Sequence, residues 1–342
     1  MAVAQTYRLA RLAGSFPPGL NSSDAPWKLK PGETPDGYGY DLTVDDGIKV
    51  GTCPSGTARV AKAVTVGGTA YQWHFGRLWN FATTVLTYGA KFYDAVYLPQ
   101  GLGKEYFNED ASAILALVPI EPAKLAVLKA TGGYVLSNVD DRGANFGRTD
   151  LLQELALAAA NQVAELDGVI YVTNAVGLTG YKDGQSEEIS RKIRGETLTG
   201  AALTVDNSRR RVIVGASHVY DTKAQAWFKY DGSSFRFTSR QMTAADWSPF
   251  AVDRVLFVIQ HTAETDGAYL TYQVKYEDAE WTDPRDVLLP YVAGKFSVIS
   301  ESLTRNLAAK RFQVRVTDMS STVVLREIWC DTNAKQGDDW SA

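Results

Sequence analysis

The sequence predicts an all-β chain built as a β-propeller of five four-stranded blades, with end segments that could supply a sixth. Three observations predict it. A strand-and-turn pattern recurs with a period in the low-to-mid forties, the length a four-stranded blade needs. The 8 Trp, 17 Tyr and 13 Phe favour pleated, half-buried surfaces, and 29 Gly supply turns. Asp-Gly pairs fall between apolar runs, a strong local hairpin signal.

The repeat is anchored by five short apolar strands: Arg77 to Phe81, Lys124 to Leu128, Gly168 to Val172, Arg211 to Gly215 and Arg254 to Val258. Their first residues lie 47, 44, 43 and 43 positions apart. The third and fourth units show the pattern most fully. In the third, strands are expected at Asn161–Leu166, Val169–Thr173, Val176–Lys182 and Glu187–Ile193, with turns at Asp167-Gly168 and Asp183-Gly184. In the fourth they are expected at Ala201–Val205, Arg211–Ala216, Ser217–Tyr220 and Ala226–Tyr230. There Asp206-Asn207-Ser208 and Asp231-Gly232 are the turns, and Phe235–Ser239 follows. Thr149 to Leu166 lacks Gly and Pro and reads as helix by propensity, but its alignment on the repeat favours strands.

These units place the propeller at residues 66–281. Residues 1–65 are loop-rich, broken by Pro17-Pro18-Gly19, Pro31-Gly32, Pro35-Asp36-Gly37 and Asp45-Asp46-Gly47, and read as an extended arm or a pair of short hairpins. The arm carries Trp27, Tyr38 and Tyr40 but too little periodic apolar sequence for its own core. It is therefore expected to order on a neighbouring chain, with the propeller folding without it. Residues 282–342 offer alternating strands at Phe296–Ser302, Arg311–Thr317 and Thr322–Trp329, either a closing blade or a small β module.

Composition narrows the function. With 45% hydrophobic residues, 22% charged residues and a net charge of −4, the chain lacks the basic excess of a nucleic-acid binder. No apolar run reaches the 18 residues of a membrane span. Met1 to Gly14 has no apolar stretch of a signal peptide, so synthesis in a cytoplasm without export by a cleaved signal is expected, and the Asn21-Ser22-Ser23 sequon is read as chance. Cys53 and Cys330 allow one long-range bridge at most. Two isolated buried thiols are the favoured reading.

Catalytic patterns are sparse, and no catalytic, metal or cofactor residue is assigned. His74, His218 and His261 are far apart, fit no ligand spacing and read as structural or surface histidines. Gly101-Leu102-Gly103-Lys104 lacks the Ser/Thr and upstream glycine of a phosphate loop and reads as a turn. Asp140 to Asn145 lacks the alternating oxygen ligands of a calcium loop. Asp167, Asp206 and Asp253 precede equivalent strands and would be the acids of a propeller glycosidase, although an Asp repeated at a turn is ordinarily turn chemistry. Arg209-Arg210-Arg211, the densest basic cluster, reads as a solvated hairpin tip.

Two stretches resemble bacteriophage virion proteins. The first is Gly19-Leu20-Asn21, Leu29-Lys30-Pro31-Gly32-Glu33 and Tyr40-Asp41-Leu42 followed by Gly47-Ile48. The second runs from Leu166 to Val172 through Gly177-Leu178 and Tyr181-Lys182-Asp183-Gly184 to Ile189-Ser190, and resumes at Val219-Tyr220-Asp221 and Ala226 to Tyr230. Together they resemble the tail nozzle, or tail tubular protein B, group of short-tailed phages. The resemblance implies a non-enzymatic virion component that assembles with itself as a ring, often sixfold, and with other tail or head–tail connector proteins. Such a ring lets DNA pass without a cofactor. The chain is shorter than typical nozzles, which leaves open a reduced nozzle, a tail-tip component or a fibre-attachment protein. The alternatives by function are a carbohydrate- or receptor-binding propeller and, third, a propeller glycosidase.

Overall fold

The computed structural model describes residues 8–13, 19–20, 33–34, 37–38, 40–42, 48–50, 54–56, 63–66, 69–89, 103–120, 122–140, 145–194, 196–230, 235–243, 248–277, 279–291, 296–303 and 309–332. Trp27, Asn21 to Ser23, Cys53, Gly101, Leu102 and Asp231-Gly232 lie outside them. The described residues are all-β, with short 3-10 turns and no α-helix. The chain divides into two compact units. The central unit holds residues 55–191 and 196–215, and the terminal unit holds 1–54, 192–195 and 216–342.

The central unit is a succession of antiparallel meanders. The Trp79 sheet runs Ala63–Val66, Thr69–His74, Arg77–Ala82, Val85–Tyr88 and Gly103–Tyr106. The Val127 sheet runs Ile114–Ile120, Lys124–Lys129, Gly133–Ser137 and Gly147–Arg148. The Ile170 sheet runs Val163–Leu166, Val169–Asn174, Gly177–Lys182 and Gln185–Glu188. A hairpin of Leu203–Asp206 and Arg211–Val214 follows. The connecting turns explain the register. Phe75-Gly76, Asp167-Gly168 and Asp183-Gly184 each place two successive residues at positive φ, as a type I′ turn requires.

The Val127 sheet is covered on both faces, which is why Lys124–Lys129 reads as a continuous apolar run. Alternate residues enter different cores. Leu117, Leu125, Val127, Tyr134 and Leu136 pack with Trp79, Leu86 and Phe107 of the preceding sheet. Ala116, Val118, Ala126, Leu128 and Val135 pack with Ile170, Val172 and Tyr181 of the following one. Each fully buried Leu or Val contributes about 1.5–3 kcal/mol. Meander sheets stacked face to face in chain order are a propeller-like arrangement, as the repeat predicts for these units.

Thr149 to Leu166 is mostly neither helix nor strand. The outer strand, Gly147–Arg148, ends before it; 3-10 turns follow at Gln153–Leu155 and Ala160–Gln162, and Val163–Leu166 is the inner strand. Leu155 and Leu157 are drawn into the core between sheets, which overrides helical propensity. The buried Gln162 carboxamide holds the bend, its Oε1 accepting from the Ala158 and Ala159 amides at 2.7 and 3.0 Å. Gln185–Glu188 likewise stops short, giving way to a 3-10 turn at Ile189–Ile193. Gly103-Lys104 opens an edge strand paired with Tyr88 and Thr87, rather than a turn.

In the terminal unit His218–Asp221 and Ala226–Lys229 form the hairpin that the fourth repeat predicts, beside which Gly19–Leu20 and Glu33–Thr34 lie parallel; beyond it the unit departs from the repeat. Arg254 to Val258 belongs to Val252–His261, which pairs with Phe296–Ser302 on one side and Val323–Thr332 on the other. Tyr269–Tyr276 instead pairs with Arg285–Leu288 and Arg311–Met319, and Arg236–Thr238 also joins Arg311–Met319. These strands form two facing sheets, the Phe257 sheet and the Tyr272 sheet. The Phe257 and Tyr272 rings meet at 5.2 Å, and the buried Cys330 Sγ lies 3.4 Å from Met242 Sδ of the opposite sheet. Burial pushes the Cys330 thiol up. The fifth repeat segment and the C-terminal strands therefore form two facing sheets whose strands pair out of chain order, rather than a sequential meander.

Residues 1–65, expected as an arm, supply strands to the chain's own sheets. Arg8–Ala13 pairs with Ile328–Thr332, Tyr40–Leu42 and Ile48–Val50 pair with each other, and Ile48 meets Leu325. Gly37–Tyr38 pairs with Arg236–Phe237. Short strands broken by Pro and Gly cannot pair among themselves over any length, so the long C-terminal strands complete them.

Candidate functional site

A groove of about 850 Å³ lies in the central unit, between the Val127 and Ile170 sheets. Turns from separate hairpins end on one side of the unit and form its rim: Pro122 before Lys124, Asp167-Gly168, Asp183-Gly184 and Asn207. Ile120, Val135 and Leu166, all from buried strands, provide apolar floor.

Most of the charged groups in the groove are engaged with partners inside or beside it. Lys124 Nζ lies 3.1 Å from Asp183 Oδ1, joining the two sheets across the opening. Arg148 donates to Glu109 Oε1 at 2.5 Å and to the Tyr106 carbonyl at 3.0 Å, and it stacks on Phe107 and Tyr134. Glu165, buried, accepts the Gly168 amide at 2.8 Å through Oε1 and thereby fixes the turn beside it. Arg210 Nε lies 3.7 Å from Asp167 Oδ2. Burial pushes the Tyr181 hydroxyl's pKa up, with opposing pull from Lys124 and the Gly184 amide.

The acids singled out in the sequence separate here. Asp167 is the first residue of a type I′ turn. Asp206 accepts the Ser208 and Arg209 amides at 3.0 and 3.1 Å and the Ser208 hydroxyl at 2.6 Å. Burial raises its carboxyl, but these hydrogen bonds outweigh it and hold the group below its ordinary range. Asp253 sits within a strand, 3.5 Å from Arg254 Nε, and is not equivalent to the other two. In the Arg209-Arg210-Arg211 run, Arg209 and Arg210 are exposed at the tip, whereas Arg211 opens the strand and is buried.

All three histidines are buried, and none reaches the groove. His218 Nδ1 meets Ser217 Oγ at 3.0 Å, and His261 packs edge-on against Tyr291 at 5.5 Å. Among the described residues no group of three or more His, Cys, Asp and Glu is placed to hold a metal ion. Of Asp140 to Asn145, residues 141–144 lie outside the described set.

Sequence reading missed the groove because its rim comes from turns that no spacing connects. The repeated Asp-Gly pairs were the available signal. It also missed Lys129, a strand residue whose ammonium is completely buried. Lys129 Nζ donates to Asp110 Oδ1 and to the Phe107 carbonyl, both at 2.8 Å. Asp110 also accepts from the Ser112 amide at 2.7 Å, the Ser112 hydroxyl and the Thr131 hydroxyl at 2.6 Å.

No protein-family model matches the chain, and no curated protein matches it by sequence. Solved structures give distant likenesses. An exo-β-1,3-galactanase from Phanerochaete chrysosporium with galactose is 10% identical, covering 74% of this chain and 78% of that one, with a TM-score of 0.26. A glycoside hydrolase is 7% identical over 90% and 72% of the two chains, with a TM-score of 0.19. A Bacillus thuringiensis Cry1Da tryptic core variant is 10% identical over 78% and 49%, with a TM-score of 0.20.

Proposed function

We propose that the chain is a non-enzymatic structural component of a bacteriophage virion, a tail or nozzle-type protein that works by shape and by contact between copies. The observation that carries the assembly reading is an unblunted sheet edge. Phe296–Ser302 is a terminal strand of the Phe257 sheet, paired only with Val252–His261 among the described residues. It contains neither Pro nor Lys, the usual protections of an exposed edge. Phe296 is 62% exposed and Val298 60%. The strand's only charge, Glu301, pairs with the inward residue Val255 and so faces away from this apolar strip. The Arg326 guanidinium lies 5.4 Å over the Phe296 ring, and an apolar strand edge of this kind matches a second copy of itself.

The sequence resemblance supports placing this assembly in a phage tail. Its two stretches meet in one feature, where Gly19 of the first pairs in parallel with Trp227 of the second. A ring of about six copies would let DNA pass, and a net charge of −4 suits a duct that must not grip phosphates. Partners are other copies and neighbouring tail or connector proteins, and the location is the virion.

Native mass measurement tests the assembly. The expected species is about six times the 37.4 kDa chain. Phe296→Glu with Val298→Lys should reduce it to monomer without changing the circular dichroism spectrum. A wild-type chain that is monomeric, or a ring indifferent to both substitutions, overturns the proposal.

The glycosidase alternative has its own test. Asp167 and Asp206 hold turns, so Asp167→Asn and Asp206→Asn should abolish no glycoside turnover, and the wild type should show none on a broad panel. Turnover that vanishes with either substitution would displace the structural reading.

A further inference from the structure

We propose that the groove between the Val127 and Ile170 sheets binds a neutral oligosaccharide. This goes beyond the assembly role and is independent of it, because all its lining residues belong to the central unit.

Size is the first argument. About 850 Å³ lies within the range of small-molecule sites, which run from roughly 300 to 1,000 Å³. Charge is the second. Lys124, Arg148 and Lys182 are matched in number by Glu165, Asp167 and Asp183. Lys124 and Asp183 neutralise each other, Arg148 is drawn to Glu109, and Asp167 faces Arg210. No excess of either sign remains to select an ion. A nucleic-acid strand needs a cationic track, and the balanced lining does not provide one.

What the groove offers instead is a mixture suited to a hydroxylated, uncharged ring. Ser137, Thr149 and Asn207 bring side-chain donors and acceptors to the lining, and Ile120, Val135 and Leu166 give apolar surface for C–H faces. The rim is stiff. Two type I′ turns flank it, one held by Glu165 and the other tied across the opening through Asp183. At Gly168 and Gly184 a side chain would meet nothing within 4 Å, so the turns leave the mouth unobstructed. A preformed, rigid site limits the ordering cost that weakens sugar binding.

The test is calorimetric titration of the full chain with cellohexaose, laminarihexaose, xylohexaose and maltohexaose, at low and high salt. At least one should bind with millimolar or tighter affinity, and the affinity should be unchanged by salt, because the sugar carries no charge. Ser137→Tyr, which fills the groove, should weaken binding by about tenfold or more. Asn207→Ala, in an exposed turn that tolerates substitution, should weaken it by a few-fold and guards against a misfolded first variant. Phe296→Glu should leave binding intact, which separates this site from the assembly surface. The proposal fails if none of the four sugars binds at about 10 mM. It also fails if heparin alone binds with a steep salt dependence, if an extended peptide binds in place of the sugars, or if both groove variants bind as wild type.

Discussion

Lys129→Met should lower the stability of the central unit by about 3–5 kcal/mol, the cost of breaking a buried ion pair from one side. The substitution keeps most of the side chain's volume but removes the donor to Asp110 and to the Phe107 carbonyl. For a unit of this size the midpoint of thermal unfolding should fall by roughly 10 °C or more. Adding Asp110→Asn should recover part of the loss, since no carboxylate is then left short of its partner. A single-variant cost below about 1 kcal/mol would show that the buried ammonium is not an anchor.

The same network sets an acid limit. Burial raises the Asp110 carboxyl, but hydrogen bonds from Lys129, Ser112 and Thr131 outweigh that and hold it well below the ordinary range. A carboxyl depressed on folding binds fewer protons in the native state than in the unfolded chain. Its contribution is therefore complete above the unfolded value near pH 4 and is lost as the pH falls below it. Asp110→Asn should be less stable at neutral pH and should show a shallower loss of stability between about pH 4 and pH 2.

Deleting residues 1–50 should prevent the terminal unit from folding, the second large effect. Val323–Thr332 would lose Arg8–Ala13 and Ile48 along one entire edge, and Arg236–Phe237 would lose Gly37–Tyr38. Trp227 would lose its parallel neighbour Gly19. The truncated chain should be insoluble, or should lose the near-ultraviolet signal of the aromatics of its facing sheets. A soluble truncation with wild-type near-ultraviolet dichroism would restore residues 1–65 to the status of a dispensable arm.

Much of the central unit was legible because local rules decide it. Asp167-Gly168 and Asp183-Gly184 specify two-residue turns, and each turn fixes the register of the strands it joins. The terminal unit was not, because alternation identifies a strand without naming its partner. Val252–His261 shows the same apolar rhythm whether it pairs with the next strand or with Val323–Thr332 about seventy residues on. Thr149 to Gln162 misled for a related reason: Leu155 and Leu157 are pulled into an inter-sheet core that sequence does not display. At the groove, the Asp-Gly turns were visible as turns. Their convergence with Asn207 and Lys124 depends on sheet stacking, which spacing alone does not encode.

The pairing of Arg8–Ala13 with Ile328–Thr332 also bears on how the chain is made. A ribosome adding about 5–20 residues per second leaves the first strand waiting on the order of tens of seconds for its partner. Meanwhile residues 55–191 emerge with nearly all their pairings local in sequence, and local contacts form fast. The central unit is thus set to fold during synthesis, while Arg8–Ala13 stays unpaired until Ile328–Thr332 arrives. Chaperone occupancy of that N-terminal stretch, followed by release once residues 328–332 emerge, is the biosynthetic signature such a nested topology should leave.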